Sequence, residues 1–221
     1  MGSDDLHGKR KAKAASDLAR RKSRRAPYDR VLIVCEGSKT EPYYLRELID
    51  CLELNSANVE IDGSCGSSPI TIVDYAKQRY TQEKHKNDAF DRVFCVFDRD
   101  THTTYKQALD KLSRSVPGKV YTAINSVPCF EYWLLSHFVY STKAYTGAGA
   151  KSACSRLIDE LRRYIPEYSK EARGLFKDLM SHTEQAIAFS KRALQEAEKN
   201  GTDNPITLMH ELIEYLKHLK D

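Results

Sequence analysis

The feature that most constrains this chain is a fourfold alternation of short apolar runs with helix-like segments. Strands and helices that alternate in units of this length form parallel sheets with right-handed crossovers and helices on both faces. The first and third runs are almost continuously apolar, as is typical of strands buried on both faces. We therefore predict an α/β fold with a parallel sheet flanked by helices. The predicted strands are 31–35, 59–62, 91–98 and 119–124, followed by helices within 40–54, 68–82, 101–115 and 128–140.

The pattern changes after Tyr145, where the strand signal ends. GAGAKS at 147–152 is typical of a linker. The final predicted helix begins with Asn204 and Pro205, a cap followed by a proline in the first turn. We therefore expect an α/β domain over residues 28–145 and a helical C-terminal extension over 146–221 that packs on it. The helices of this extension are predicted over 151–164, 183–199 and 205–219.

The net charge of +4 conceals a strongly basic N-terminal segment. Residues 1–27 carry nine Lys and Arg against three Asp, whereas the remaining chain has slightly more acids than bases. Because this segment lacks an apolar face, we expect residues 1–27 to form a disordered basic tail. Two interpretations stay open: a solvated tail that aids solubility, or an arm that binds nucleic acid. The arm would use Lys9, Arg10, Lys11, Lys13, Arg20, Arg21, Lys22, Arg24 and Arg25.

Hydropathy and cysteine usage limit the cellular setting. No apolar run approaches the ~20 residues that span a bilayer, and the N-terminus lacks the apolar stretch of a secretory signal. The six cysteines stand singly, without a CxxC pair or a Cys/His metal spacing. These observations predict a cytoplasmic protein in a reducing compartment, without a membrane partner.

Carboxylates follow two of the predicted strands. Glu36 ends the first strand, and Asp98 and Asp100 end the third. Ligands of open α/β sheets bind outside the carboxyl ends of the strands, and residues two apart in an extended chain point the same way. We expect the three carboxylates to converge, which a hard cation such as Mg²⁺ or Mn²⁺ would make favourable. Asp98 and Asp100 would hold the ion, while Glu36 would complete its shell or move a proton.

The residues after Glu36 suggest a phosphate site. Gly37 lets backbone N–H groups at the following helix start approach a phosphate, and the helix dipole favours the anion. Ser38 and Lys39 extend this segment, although a lone lysine is more often a solvated loop residue. Thr40 resembles a helix cap. Glu41, in the first turn, either complements the helix dipole or binds metal from an outer shell.

Two other classes of phosphate-handling protein are the natural rivals. The loop has one glycine, so neither the dinucleotide-binding GxGxxG nor the P-loop motif is present. A haloacid-dehalogenase-like phosphatase also places a DxD after an apolar strand. His102, however, occupies the position where those enzymes have Thr or Val, and their motif normally follows the first strand. This phosphatase is a minor alternative.

Three segments resemble a known protein family. They are LIVCEGSKTEPYYL at 32–45, VFCVFDRD at 93–100 and NSVPCFEYWLLSHF at 125–138, with weaker continuations at 168–170 and 203–216. A Glu after one strand and a DxD after a later one resembles the Toprim module of topoisomerases, primases and nucleases. The longer motifs resemble the RloB-like family, which is associated with bacterial abortive infection and restriction loci. Ser38 stands where that family commonly has a third acid, so the number of metals stays open.

The resemblance implies a Toprim-like, Rossmann-like fold and a Mg²⁺- or Mn²⁺-dependent nuclease. Such an enzyme would cleave phosphodiester bonds in RNA, including tRNA, or in DNA, as a phage-defence effector often encoded beside an ATPase partner. A different class stays open: a module that binds metal and nucleic acid under the control of that ATPase without cleaving. Homo-oligomer formation is also left open.

Glu131 is the sole Asp, Glu, Lys or Arg between Val127 and Thr142, in a helix otherwise rich in aromatic and aliphatic residues. An unpaired carboxylate buried there would cost several kcal/mol or stay protonated. An arginine partner or a group of backbone N–H donors would explain it structurally. Because its helix begins where the fourth strand ends, we favour a place in or just outside the metal shell.

Overall fold

A five-stranded sheet forms the centre of the computed structural model, which describes residues 11, 13, 15–20, 25–100 and 102–221. The strand order is β2–β1–β3–β4–β5. The first four strands are parallel, and the short β5 is antiparallel to β4. The predicted α/β class with a Rossmann-like sheet is confirmed. The strands are β1 (Val31–Cys35), β2 (Val59–Asp62), β3 (Arg92–Asp98), β4 (Tyr121–Val127) and β5 (Ile206–Thr207).

Helices cover both faces of the sheet because alternate residues of each strand point to opposite sides. Val31 and Ile33 face one apolar core, which includes α1 and the helices from α4 onward. Leu32 and Val34 face the other, built mainly with α2 and α3. The helices are α1 (Thr40–Cys51), α2 (Pro69–His85), α3 (Tyr105–Ser113), α4 (Glu131–Leu135), α5 (Ala153–Leu161), α6 (Leu175–Leu179), α7 (Thr183–Lys199) and α8 (Met209–Lys217). None of these described helices has the length and apolar character needed to cross a bilayer.

The C-terminal segment differs in two respects from the expected set of helices. β5 lies inside the range predicted as helix 205–219, and α8 begins only at Met209; helix α6 was not predicted. The amide of Asn204 bonds both backbone groups of Tyr145 instead of capping a helix. A two-residue strand is too short to leave a periodic signal, and its register is set by tertiary contacts such as Ser126 Oγ to Thr207 Oγ1 (2.9 Å).

The N-terminal segment is only partly described. Residues 15–20 are helical and largely exposed; alanine and arginine, which occur in this stretch, are strong helix formers. Lys11 and Lys13 are also helical and exposed. Arg25 was expected in the nucleic-acid arm, yet its guanidinium binds the Asp88 carboxylate through two bonds of 2.6 and 2.7 Å. Five further residues expected in the arm lie outside the described residues: Lys9, Arg10, Arg21, Lys22 and Arg24.

A buried arginine joins the starts of the strands to α2. Arg30 is 2% exposed, and its guanidinium lies over the Phe90 ring at 3.9 Å. It donates to Glu60 Oε1 (2.6 Å), to Glu83 Oε2 (2.9 Å) and to the Asp88 carbonyl. The Asp88 carboxylate also lies 3.7 Å from the guanidinium, so one cation compensates carboxylates from β2, the end of α2 and the turn that follows it.

We expect Arg30→Met to destabilise the protein by about 3–5 kcal/mol, because it leaves buried carboxylates without this cation. Urea unfolding at pH 7 would measure the loss. Arg114→Met is the matched control, since the exposed Arg114 lies 3.8 Å from Asp110 and such pairs contribute about 0–1 kcal/mol. A loss for Arg30→Met no larger than for this control would contradict the prediction.

Candidate functional site

A cleft of about 260 Å³ lies at the carboxyl ends of β1 and β3. Four carboxylates converge on it, with Lys170 as the cation that faces them. This is the edge at which ligands of open α/β sheets bind. The lining residues are Glu36, Gly37, Ser38, Lys39, Thr40, Glu41, Asp98, Glu131 and Lys170.

Glu36 is fixed over the end of β3. Its backbone N–H donates to the Val96 carbonyl at 3.0 Å, which continues the pairing of β1 with β3. Its Oε2 accepts from the Asp98 N–H at 3.2 Å, and its Oε1 lies 3.1 Å from His102 Nε2. The structure therefore brings Glu36 and Asp98 together. It also places His102 at the site, a single histidine that has no spaced partner in the sequence and was not predicted as a site residue.

Asp100 does not join the cleft. β3 ends at Asp98, and Asp100 follows in a loop with φ +29° and an exposed side chain. Its N–H donates to the Pro128 carbonyl at 2.9 Å. The two-residue alternation that would align Asp98 with Asp100 holds only in extended chain. The expected triad of acids is therefore corrected at Asp100, and Glu41 and Glu131 occupy the cleft beside Glu36 and Asp98.

Burial and mutual repulsion oppose the simultaneous ionisation of the four carboxyl groups in the cleft. Burial, followed by the charges of Glu131 and Glu36, raises the pKa of Glu41 to about 8. Burial also raises the pKa of Asp98 well above its usual range, with further contributions from Glu41, Glu131 and Glu36. At neutral pH the cluster either retains protons or requires a cation. Carboxylate oxygens are the ligands that a hard divalent ion such as Mg²⁺ or Mn²⁺ prefers.

Glu131 is 1% exposed and lies at the floor of the cleft, on the same edge as Glu36 and Asp98. The Tyr168 hydroxyl donates to its Oε1 at 2.9 Å, and Lys170 Nζ lies 3.6 Å from the same oxygen. Among the described residues, these two partners take the place of the arginine or backbone donors that the sequence suggested. Sequence reasoning did not assign a role to either, and their one signal was the weak resemblance of the YSK segment.

The segment 168–174 is held against α1 by several contacts. Thr40 Oγ1 donates to the Lys170 carbonyl at 2.5 Å, so Thr40 secures this segment and does not cap the helix as predicted. The Glu47 carboxylate accepts from the N–H groups of Gly174 (2.5 Å) and Phe176 (2.9 Å). These contacts fix the backbone from which Tyr168 and Lys170 reach Glu131.

The loop predicted to bind phosphate joins β1 to α1. Gly37 has φ +69°, and a Cβ placed on Gly63 would clash with the Gly37 carbonyl oxygen, so the next loop packs against it closely. Lys39 is the N-cap of α1, and its side chain makes no cap bond. Ser38 and Lys39 are exposed, and Lys39 forms an ion pair with Glu171.

A disulfide joins Cys129 to Cys154 beside the cleft, across a sequence separation of 25 residues. Cys154 Sγ lies 3.5 Å from Glu131 Oε2. The pair differs from the expectation of wholly reduced cysteines. The packing of α5 against α4 brings the two cysteines together, so no short sequence motif marks the pair.

In metal-free protein, we expect stability to fall as pH rises from about 4.5 to about 8. The unfolded Glu41 carboxyl ionises near 4.5 and the folded one near 8, so the folded state holds a proton that the unfolded state has released. Each unit of such a shift corresponds to about 1.4 kcal/mol. Urea unfolding across this range would measure the slope. Mg²⁺ and Glu41→Gln should each flatten it, whereas the exposed Glu198→Gln should not; an equal slope in all four samples would contradict the prediction.

Comparison with known proteins agrees with the sequence motifs. The family model described as RloB-like protein matches residues 31–216, which is most of the chain. No curated protein and no solved structure matches this chain. The matched range contains all four carboxylates of the cleft, together with Tyr168 and Lys170. The chain belongs to the RloB-like protein family.

Proposed function

We propose that this RloB-like protein is a Toprim-type nuclease that uses Mg²⁺ or Mn²⁺ to hydrolyse phosphodiester bonds in nucleic acid. The observation that carries the proposal is the convergence of four carboxylates on one cleft beside a helix start without a side-chain cap. A carboxylate-bound divalent ion can promote phosphodiester hydrolysis, and a helix start can hold the phosphate.

The residues present fit such an ion. Glu36 and Asp98 would hold it at the mouth of the cleft, and Glu41 and Glu131 would neutralise its charge from below. When bound, the ion would supply Lewis-acid polarisation of the phosphoryl group and a lower pKa of coordinated water. The raised pKa values of Asp98 and Glu41 are what a site built for a cation shows in its absence.

Other groups of the chain would bind the phosphate, offset negative charge and exchange a proton. Gly37 and Ser38 would receive a phosphate oxygen through backbone N–H groups at the start of α1. Lys170 would offset the negative charge that develops on the phosphoryl oxygens; burial by itself would lower its pKa, but Glu131, Asp98 and Glu41 outweigh that effect and keep it protonated. His102, at 3.1 Å from Glu36, would orient this carboxylate or exchange a proton with it.

The basic arm would contribute binding and not chemistry. Arg25 contacts Asp88 and the Ala57 carbonyl, which precede β3 and β2, so the chain enters the sheet from the amino ends of the strands. The seven residues of β3 span about 23 Å between that edge and the cleft. Nucleic acid held by the arm would therefore cross the domain to reach the cleft. The roles in phage defence and with an ATPase partner rest on family resemblance.

One observation favours the alternative of a metal- and nucleic-acid-binding module that does not cleave. The second acid of the DxD motif, Asp100, lies outside the cleft, so the site lacks one of the ligands expected for a nuclease. The phosphatase alternative is weaker, because β1 ends in Glu36 and the DxD follows β3.

We expect purified protein with Mg²⁺ or Mn²⁺ to cleave at least one of tRNA, single-stranded RNA and duplex DNA. Glu36→Gln and Asp98→Asn should each lower the rate by at least about 100-fold, because they remove groups that hold the ion or move a proton. Asp100→Asn is the matched control and should retain most activity. Cleavage on denaturing gels, with and without EDTA, is the measurement.

Full activity in a folded Asp98→Asn preparation, or activity that survives EDTA, would contradict the nuclease proposal. Metal-dependent binding of nucleic acid without cleavage by the wild type would instead support the non-cleaving module. Circular dichroism of each variant would show whether a lost activity reflects a lost fold.

Deleting residues 1–24 tests the arm while keeping Arg25. If the arm binds phosphates, the slope of log affinity against log salt concentration should flatten by ~0.7 for each phosphate of single-stranded nucleic acid that the shortened chain no longer neutralises. The rate at saturating nucleic acid should stay the same, because the cleft is about 23 Å away. Fluorescence anisotropy at several salt concentrations would measure the slope, and an unchanged slope would leave the arm with a role in solubility alone.

A further inference from the structure

Cys129, Glu131 and Cys154 place three metal-ligating side chains together in the interior. All three are buried, at 1%, 1% and 6% exposure, and their ligand atoms lie within 4.8 Å of one another. Two sulfurs and a carboxylate suit a borderline ion such as Zn²⁺, whereas the oxygen-only mouth of the cleft suits Mg²⁺. The set shares Glu131 with the cleft and differs from the other cleft carboxylates in offering two sulfurs.

We propose that reduction of the Cys129–Cys154 disulfide converts this position into a site for one thiolate-binding divalent metal of the Zn²⁺ type. A dithiol reductant would supply two electrons and two protons, yielding two thiols and becoming a disulfide itself. Metal binding would then release two protons as the sulfur–metal bonds form. The disulfide and the metal site exclude each other, because both use the same two sulfurs.

The charge of the surroundings favours the metal-bound form. Two thiolates and the Glu131 carboxylate carry three negative charges, and a divalent ion leaves one. Lys170 Nζ, 3.6 Å from Glu131 Oε1, compensates the remaining charge. A buried group of charges is tolerated when it is paired in this way. The Tyr168 hydroxyl donates to the same oxygen at 2.9 Å and helps to hold the carboxylate in place.

Glu131 connects this site to the cleft. Its Oε2 faces Cys154, while its Oε1 faces Tyr168 and Lys170. A metal bound between the sulfurs would draw this carboxylate away from the ion at the cleft mouth. The inference does not rest on nuclease activity, because metal binding is measured directly.

The test uses the full chain, reduced with dithiothreitol, desalted without oxygen and titrated with Co²⁺ as a spectroscopic probe. We expect one equivalent to produce a thiolate-to-cobalt charge-transfer band that Zn²⁺ abolishes by displacement. The oxidised protein should show no such band. Cys51→Ser and Cys65→Ser are the matched controls: both residues have free thiols with some exposure, and both variants should keep the band.

Cys154→Ser should remove most of the band. Glu131→Gln keeps both sulfurs and should weaken Co²⁺ affinity by at least about tenfold without removing the band, which keeps the test valid if the cysteine variant fails to fold. A reduced wild type without the band, a band of equal strength in the oxidised protein, or a band lost in Cys51→Ser or Cys65→Ser would overturn the proposal. None of these outcomes depends on whether nucleic acid is cleaved.

Discussion

The mutual repulsion of carboxylates in a poorly solvated cleft is the constraint on which the rest of this structure depends. Glu41 and Asp98 carry raised pKa values because burial and neighbouring acids both oppose ionisation. The fold holds the acids together despite this cost, since β1, β3 and α1 fix their backbones through sheet pairing and core packing. A cation that binds here would relieve this repulsion. Its binding free energy would therefore be more favourable than at a site whose carboxylates do not repel one another.

The polar networks at the two edges of the sheet differ in their balance of charge. At the amino edge, Arg30 compensates carboxylates from three chain segments, so opposite charges are matched there and the network stabilises the fold. At the carboxyl edge, the described acidic side chains outnumber the basic ones, so the acids either retain protons or need an external cation. This asymmetry places stability at one end of the strands and ligand chemistry at the other, as is usual for open α/β sheets.

The sheet and the first part of the site could be predicted from sequence because both depend on local pattern. Apolar runs marked β1 and β3, and their ends located Glu36 and Asp98. Asp100 was expected beside Asp98 on the assumption that the chain stays extended past the end of the strand, whereas Asp100 lies in a loop with φ +29°. Tyr168 and Lys170 reach the cleft through contacts made across the chain to Thr40 and Glu131, and the Cys129–Cys154 pair likewise depends on tertiary packing. Such long-range contacts leave no periodic trace in the sequence.

The anchoring of segment 168–174 on α1 has a consequence for how the protein is made. A nascent chain that has emerged only as far as α4 contains every carboxylate of the cleft but neither Tyr168 nor Lys170. Because domains fold as units during synthesis, the buried Glu131 stays without its partners until the last quarter of the chain leaves the ribosome. The order of residues along the chain thus delays completion of the cleft until well after its last carboxylate has been synthesised.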